Sequence, residues 1–159
     1  MTRSEVIAGV ELAFAECPRP EHFTAYTHCA ECAEHDATLR ARDRDTLTLA
    51  DVGNPGWDPL CFCSAAGLAY YFPALAGLAL TAPANDSPWY AEQLVFHLGY
   101  GHLDNELYGY CNDAQRQAVS AVLAFLIETY AAHIEGIRAG DAYLRCHELW
   151  SGMARTDSD

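Results

Sequence analysis

His28-Cys29-Ala30-Glu31-Cys32-Ala33-Glu34-His35 places two thiols and two imidazoles within eight residues, a donor set that zinc binds well. Cys29, Cys32 and His35 follow one another in three-residue steps, and on a continuous helix each such step turns about 60° away from the starting face. A zinc site built on them therefore requires Cys29 to Cys32 to be a knuckle-like turn, with His35 on the first turn of the helix behind it. A fourth ligand must close the tetrahedron, and Cys61, Cys63, His28 and His22 are the candidates. Cys61-Phe62-Cys63 is attractive because it offers thiols just before Ser64, a helix N-cap in the sequence pattern. The alternative is a set of reduced cysteines near the surface.

The same pair can be read as a redox dithiol, one cysteine attacking a disulfide and the other resolving it. Two features oppose that reading. Glu31 and Glu34 put negative charge beside the thiols, and no βαβ pattern surrounds the motif. A metal-dependent enzyme is the other alternative, with Cys29, Cys32 and His35 leaving one coordination position for water. No complete catalytic signature supports it. His133-Ile134-Glu135 lies downstream of the cysteine pair, the wrong order for a zinc deaminase. His147-Glu148 is not completed to His-Glu-x-x-His, and neither a nucleophile elbow nor a phosphate loop is present. His97 and His102, with Asp104 and Glu106, could pair for acid–base work or bind a second metal, but ordinary polar residues at a helix end are the favoured reading.

Composition narrows the classes further. The net charge is −13, from 22 acidic and 9 basic residues, and every basic residue is arginine. Without lysine there is no P-loop, Schiff-base or Ser-Lys chemistry. Arg40, Arg42 and Arg44 alternate with Asp43 and Asp45, which reads as a solvated charged face rather than a nucleic-acid footprint. Strong acidity beside a loop with Tyr100, Tyr108 and Tyr110 next to Asp104 and Glu106 suits a surface that meets a basic protein. A non-enzymatic binding protein, such as an immunity protein or inhibitor of a cationic partner, fits that profile. The odd count of seven cysteines and the lack of a signal-peptide pattern point to a reducing, cytoplasmic setting. The apolar run Leu68 to Leu80 is too short to cross a bilayer. The oligomeric state stays open.

The elements that must position these residues read as helices. Thr2 and Glu5 make a capping box ahead of Val6, Ile7, Val10 and Phe14, and Pro18-Arg19-Pro20 ends that helix. A second helix follows the cysteine pair, to about Arg44. Thr46-Leu47-Thr48-Leu49 alternates like a short strand, or opens a helix. Ser64 starts a helix that Pro73 breaks into two pieces. Ser87-Pro88 opens another, from Trp89 to Leu98. Asn112 caps the longest, which keeps its period to Gly140, and a last one spans about Asp141 to Met153. Tyr71, Phe72, Leu75, Val122, Leu126 and Trp150 each lie on an apolar face and are assigned to one core. The expectation is a mainly α, single compact domain of about six helices over residues 1–154, with at most a short strand pair. The acidic tail 155–159 reads as disordered.

Trp57-Asp58-Pro59-Leu60-Cys61-Phe62 leads to Gly67-Leu68-Ala69-Tyr70-Tyr71-Phe72-Pro73-Ala74-Leu75, and Asp113-Ala114-Gln115-Arg116-Gln117-Ala118-Val119 follows much later. Together these segments resemble an uncharacterised bacterial family with a Tyr-Tyr-Leu-Pro-Ala-like motif and a later Thr-Pro-Glu-Gln-Arg-like helix start. This chain has Asn112-Asp113-Ala114 at the second motif. The resemblance implies a small helical bacterial domain and assigns no active site.

Overall fold

Thr2 accepts the backbone N–H of Glu5 while Glu5 accepts that of Thr2, and this capping box opens α1, Arg3–Phe14. The computed structural model describes residues 1–153, so the 155–159 tail lies outside the described residues. Among the described residues there are nine α-helices and no strand. Six helices have ten residues or more: α1, α2 (Ala30–Arg40), α4 (Ala65–Ala79), α5 (Tyr90–Gly99), α7 (Asp113–Thr129) and α9 (Gly140–Trp150). The short ones are α3 (Leu49–Val52), α6 (Glu106–Tyr110) and α8 (Ala131–Gly136). The mainly helical expectation holds.

Several boundaries correct or settle the sequence reading, among them the end of α2 at Arg40 instead of Arg44. Thr48 pairs with Asp51 in a capping box, so the alternating 46–49 stretch starts α3 instead of a strand. Helix α4 runs through Pro73. An interior proline costs about 3 kcal/mol, but Tyr71, Phe72, Leu75, Ala76 and Ala79 are all buried on this helix, and burying even two large side chains offsets that cost. The long helix after Asn112 ends at Thr129, because Tyr130 leaves helical geometry at φ −117°, ψ 26°. The chain then restarts as α8. Helix α5 begins after Trp89, not at Ser87-Pro88.

Helix α1 packs on α4 and α7, α7 on α9, and α5 on α4 and α9. The assigned core residues are all inside it: Tyr71, Phe72, Leu75, Val122 and Leu126 are fully buried, and Trp150 nearly so. Buried indoles keep their polar handles satisfied: Trp89 donates to Thr81 O and Trp150 to Leu98 O. Outside this bundle, α2 lies against the 3-10 turn Pro59–Phe62. That layer carries most of the chemistry-bearing residues.

Arg44 departs from the solvated-face reading. Its guanidinium donates to the carbonyls of Phe14 (2.7 Å), Ala15 (3.3 Å), Cys17 (3.2 Å) and Tyr70 (2.6 Å), and lies 4.7 Å from the centre of the Tyr70 ring. It satisfies carbonyls at the end of α1 that the helix leaves without partners. Arg44→Ala is expected to lower stability by about 2–3 kcal/mol in denaturant unfolding, and Arg44→Lys to recover only part of this, since an ammonium lacks the planar fork.

Candidate metal centre

Cys29 is the N-cap of α2, with φ −160° and ψ 172°, and its Sγ accepts the backbone N–H of Cys32 at 3.4 Å. Because α2 already begins at Ala30, Cys32 lies within its first turn, and the expected knuckle from Cys29 to Cys32 is replaced by a helix N-cap. The imidazole of His28 completes the cluster, its Nδ1 3.8 Å from Cys32 Sγ. One donor atom each from His28, Cys29 and Cys32 lie within 4.8 Å of one another. His28 and Cys29 are exposed and Cys32 is buried. These residues can hold a metal ion.

The cap geometry tunes the thiols. Donation from the Cys32 backbone, then the His28 and Cys32 side chains, pulls Cys29 down to about 7. Cys32 moves up, through its hydrogen bond with Cys29, its burial and the charges of Cys29 and Glu31. The carboxylates at 31 and 34 were expected to raise the thiols. Glu31 does so at Cys32, whereas Cys29 goes down because backbone N–H groups at the helix N-terminus bond its Sγ.

His35 is not the third ligand. Its side chain is fully buried, stacked on Phe62 with ring centres 5.0 Å apart and tilted against Trp57 at 4.5 Å. From the N-cap at Cys29, six residues of helix carry it about 120° around the axis and about 9 Å along it, so it turns into the protein while Cys29 stays out. Glu31 Oε1 lies 3.5 Å from His35 Nε2. His22 is also committed elsewhere, bonded to Asp36 at 2.7 Å and stacked on Tyr26.

Cys61 and Cys63 do not join the Cys29 pair. Cys63 is buried, with burial pushing its thiol far up. A Cβ placed on Gly67 would stand 2.5 Å from Cys63 Sγ, so helix α4 approaches it as closely as glycine permits. Cys61 belongs to a second cluster with Asp58 and His97, whose donor atoms also lie within 4.8 Å of one another. Asp58 caps the 3-10 turn through Leu60 N, and Oδ2 sits 2.7 Å from His97 Nε2 across 39 positions of sequence. Burial and then the charge of Asp58 raise the Cys61 thiol. The sequence reading missed Asp58 and Gln93, and grouped His97 with His102, Asp104 and Glu106, favouring ordinary polar residues at a helix end over a second metal site. Two signals existed: Asp58-Pro59 is a cap followed by an N1 proline, and Gln93 and His97 are four apart on one helix face.

The tyrosine loop is divided by burial. Tyr100 and Tyr110 are exposed, as are Asp104 and Glu106. Tyr108 is half-buried, with the Arg116 guanidinium 4.2 Å from its ring centre and Trp150 meeting it edge-on. Exposed Phe96 packs beside Tyr100, their ring centres 5.8 Å apart. No helix among the described residues is long and apolar enough to cross a membrane. The chain matches no protein-family model, no curated protein and no solved structure.

Proposed function

We propose that this chain is a zinc-binding helical protein in which His28, Cys29 and Cys32 hold the ion at the entry to α2. The convergence of two thiols and one imidazole on the helix N-cap carries this reading. Soft sulfur donors with imidazole favour zinc over magnesium or calcium. Two of the ligands are exposed and the third, Cys32, is buried, and all come from one five-residue segment, an arrangement suited to ordering the 20–29 loop. Wild-type protein purified without chelator or affinity metal is expected to carry zinc, and Cys29→Ser/Cys32→Ser to lose one equivalent while His28→Ala weakens retention. Zinc content unchanged by the double serine variant, or a Cys29–Cys32 disulfide in protein handled anaerobically, would overturn it.

The acidic, aromatic surface supports a second reading: binding of a basic protein partner in the manner of an inhibitor or immunity protein. Its observation is the exposure of Tyr100 and Phe96 near Asp104 and Glu106. Attraction between a −13 chain and a cationic protein acts mainly on association and fades with salt. Asp104→Asn/Glu106→Gln is expected to slow association with a partner captured from the native host, with Tyr108 serving the fold rather than the contact. Association indifferent to both salt and these substitutions refutes it.

A further inference from the structure

We propose that Asp58, Cys61 and His97 form a second, independent binding site for a divalent transition-metal ion of the zinc type, with one coordination position open to the adjoining cleft. The proposal does not depend on the His28 cluster, and the two sites share no residue.

A carboxylate, a thiol and an imidazole converge within 4.8 Å, the mixed O, S and N donors that zinc and cobalt accept and that magnesium and calcium do not select. Two come from the 3-10 turn Pro59–Phe62 and its cap, and the third from α5. The Asp58 carboxylate is buried, with the His97 ring as its hydrogen-bond partner. An ion in this position compensates a buried carboxylate and a deprotonated Cys61 together.

A second, separate observation comes from the polar atoms around the cluster. Gln93 is buried, and its Nε2 donates to Val52 O at 2.9 Å and Asp58 Oδ2 at 3.1 Å. Both partners are acceptors, so the amide orientation is fixed and Oε1 is left buried without a partner. The Tyr90 hydroxyl, 2 % exposed, is likewise unpartnered. Tyr90 stands one helical turn before Gln93 on α5. Buried polar atoms of this kind find partners in ordinary protein interiors, and an ion with its bound water supplies them here.

Asp58, Cys61 and Gln93 line a cleft of about 400 Å3 whose other walls include Pro55, Pro88, Trp89 and Phe96, with Glu92 beside them. Three protein donors next to such a cleft leave a position for water or another exogenous oxygen or nitrogen ligand. On binding, Cys61 loses its thiol proton to solvent and coordinates as thiolate, while His97 gives up to solvent the Nε2 proton that bonds Asp58 Oδ2 and coordinates through Nε2, keeping its ring proton on Nδ1.

The test uses full-length Cys29→Ser/Cys32→Ser protein, which lacks the first site's thiols, titrated with cobalt(II). The expected result is one equivalent bound, with a thiolate-to-cobalt charge-transfer band and the d–d bands of a four-coordinate ion. Adding Cys61→Ser, an exposed and conservative change, abolishes the charge-transfer band, and His97→Gln weakens binding about tenfold or more. Azide or imidazole shifts the d–d bands by entering the open position. If His97→Gln unfolds, mass-spectrometric mapping still decides: stoichiometric zinc slows alkylation of Cys61 in the double serine background about tenfold or more. A titration without the charge-transfer band, a band that survives Cys61→Ser, or an alkylation rate indifferent to zinc overturns the site. Bands unmoved by azide and imidazole overturn the open position.

Discussion

Leu126→Ala is expected to destabilise the protein by about 2–5 kcal/mol, the range for emptying a fully buried leucine site. Leu126 has no solvent exposure, and its helix α7 contacts both α1 and α9. The truncation therefore opens a cavity between helices that cannot close without moving two others. The result is read from the midpoint of urea unfolding at unchanged slope. A loss below about 1 kcal/mol would show that this face of α7 is not the core contact.

The second large effect is at Asp36. Its carboxylate is buried on α2 and accepts Phe23 N at 2.6 Å, Thr24 N at 3.2 Å and the His22 ring at 2.7 Å. It is the fastening between α2 and the loop that leads into His28 and Cys29. Asp36→Ala strips three donors of their acceptor and is expected to cost about 3–5 kcal/mol. The Asp36 carboxyl sits below its ordinary 3.8: burial pushes it up, and the bonds from His22 and the Phe23 and Thr24 backbone more than offset that. A carboxyl depressed in the folded state contributes stability above its unfolded pKa, and that contribution is lost as pH falls through the folded value. The stability gap between wild type and Asp36→Asn should therefore be full at pH 6 and shrink progressively below about pH 3.8. A gap that is constant down to pH 2 contradicts this role. Because the same loop carries His28, zinc retention should fall in Asp36→Ala as well.

Local signals carried much of the architecture. The Thr2/Glu5 and Asn112 caps mark the starts of α1 and α7 where the sequence pattern places them, because capping depends on residues three apart. The apolar periodicity of Tyr71, Phe72, Leu75, Val122 and Leu126 identifies core faces for the same reason: a helix converts spacing into direction without help from distant contacts. Where burial competes with local preference, the sequence misleads. Pro73 signals a break, yet α4 continues because its flanks are held on several sides. Tyr130 ends α7 although the apolar period runs on.

The metal-ligating residues divide along the same line. The turn at Cys29 and the closeness of Cys32 are properties of five consecutive residues, so their pairing was legible from spacing alone. The third donor was not. His35 and His28 are chemically equivalent in the sequence, and only the exact start of α2 turns one into the core and leaves the other beside the thiols. Asp58 and His97 stand 39 positions apart, joined by a 3-10 turn docking near α5, and no periodicity within either segment announces the other. The sequence determined the helices and one local donor pair, since those follow from short-range geometry. The tertiary structure decided which histidine joins the thiols, sent Cys61 to Asp58 and His97 instead, and buried Cys63, since those outcomes depend on how separately formed helices pack.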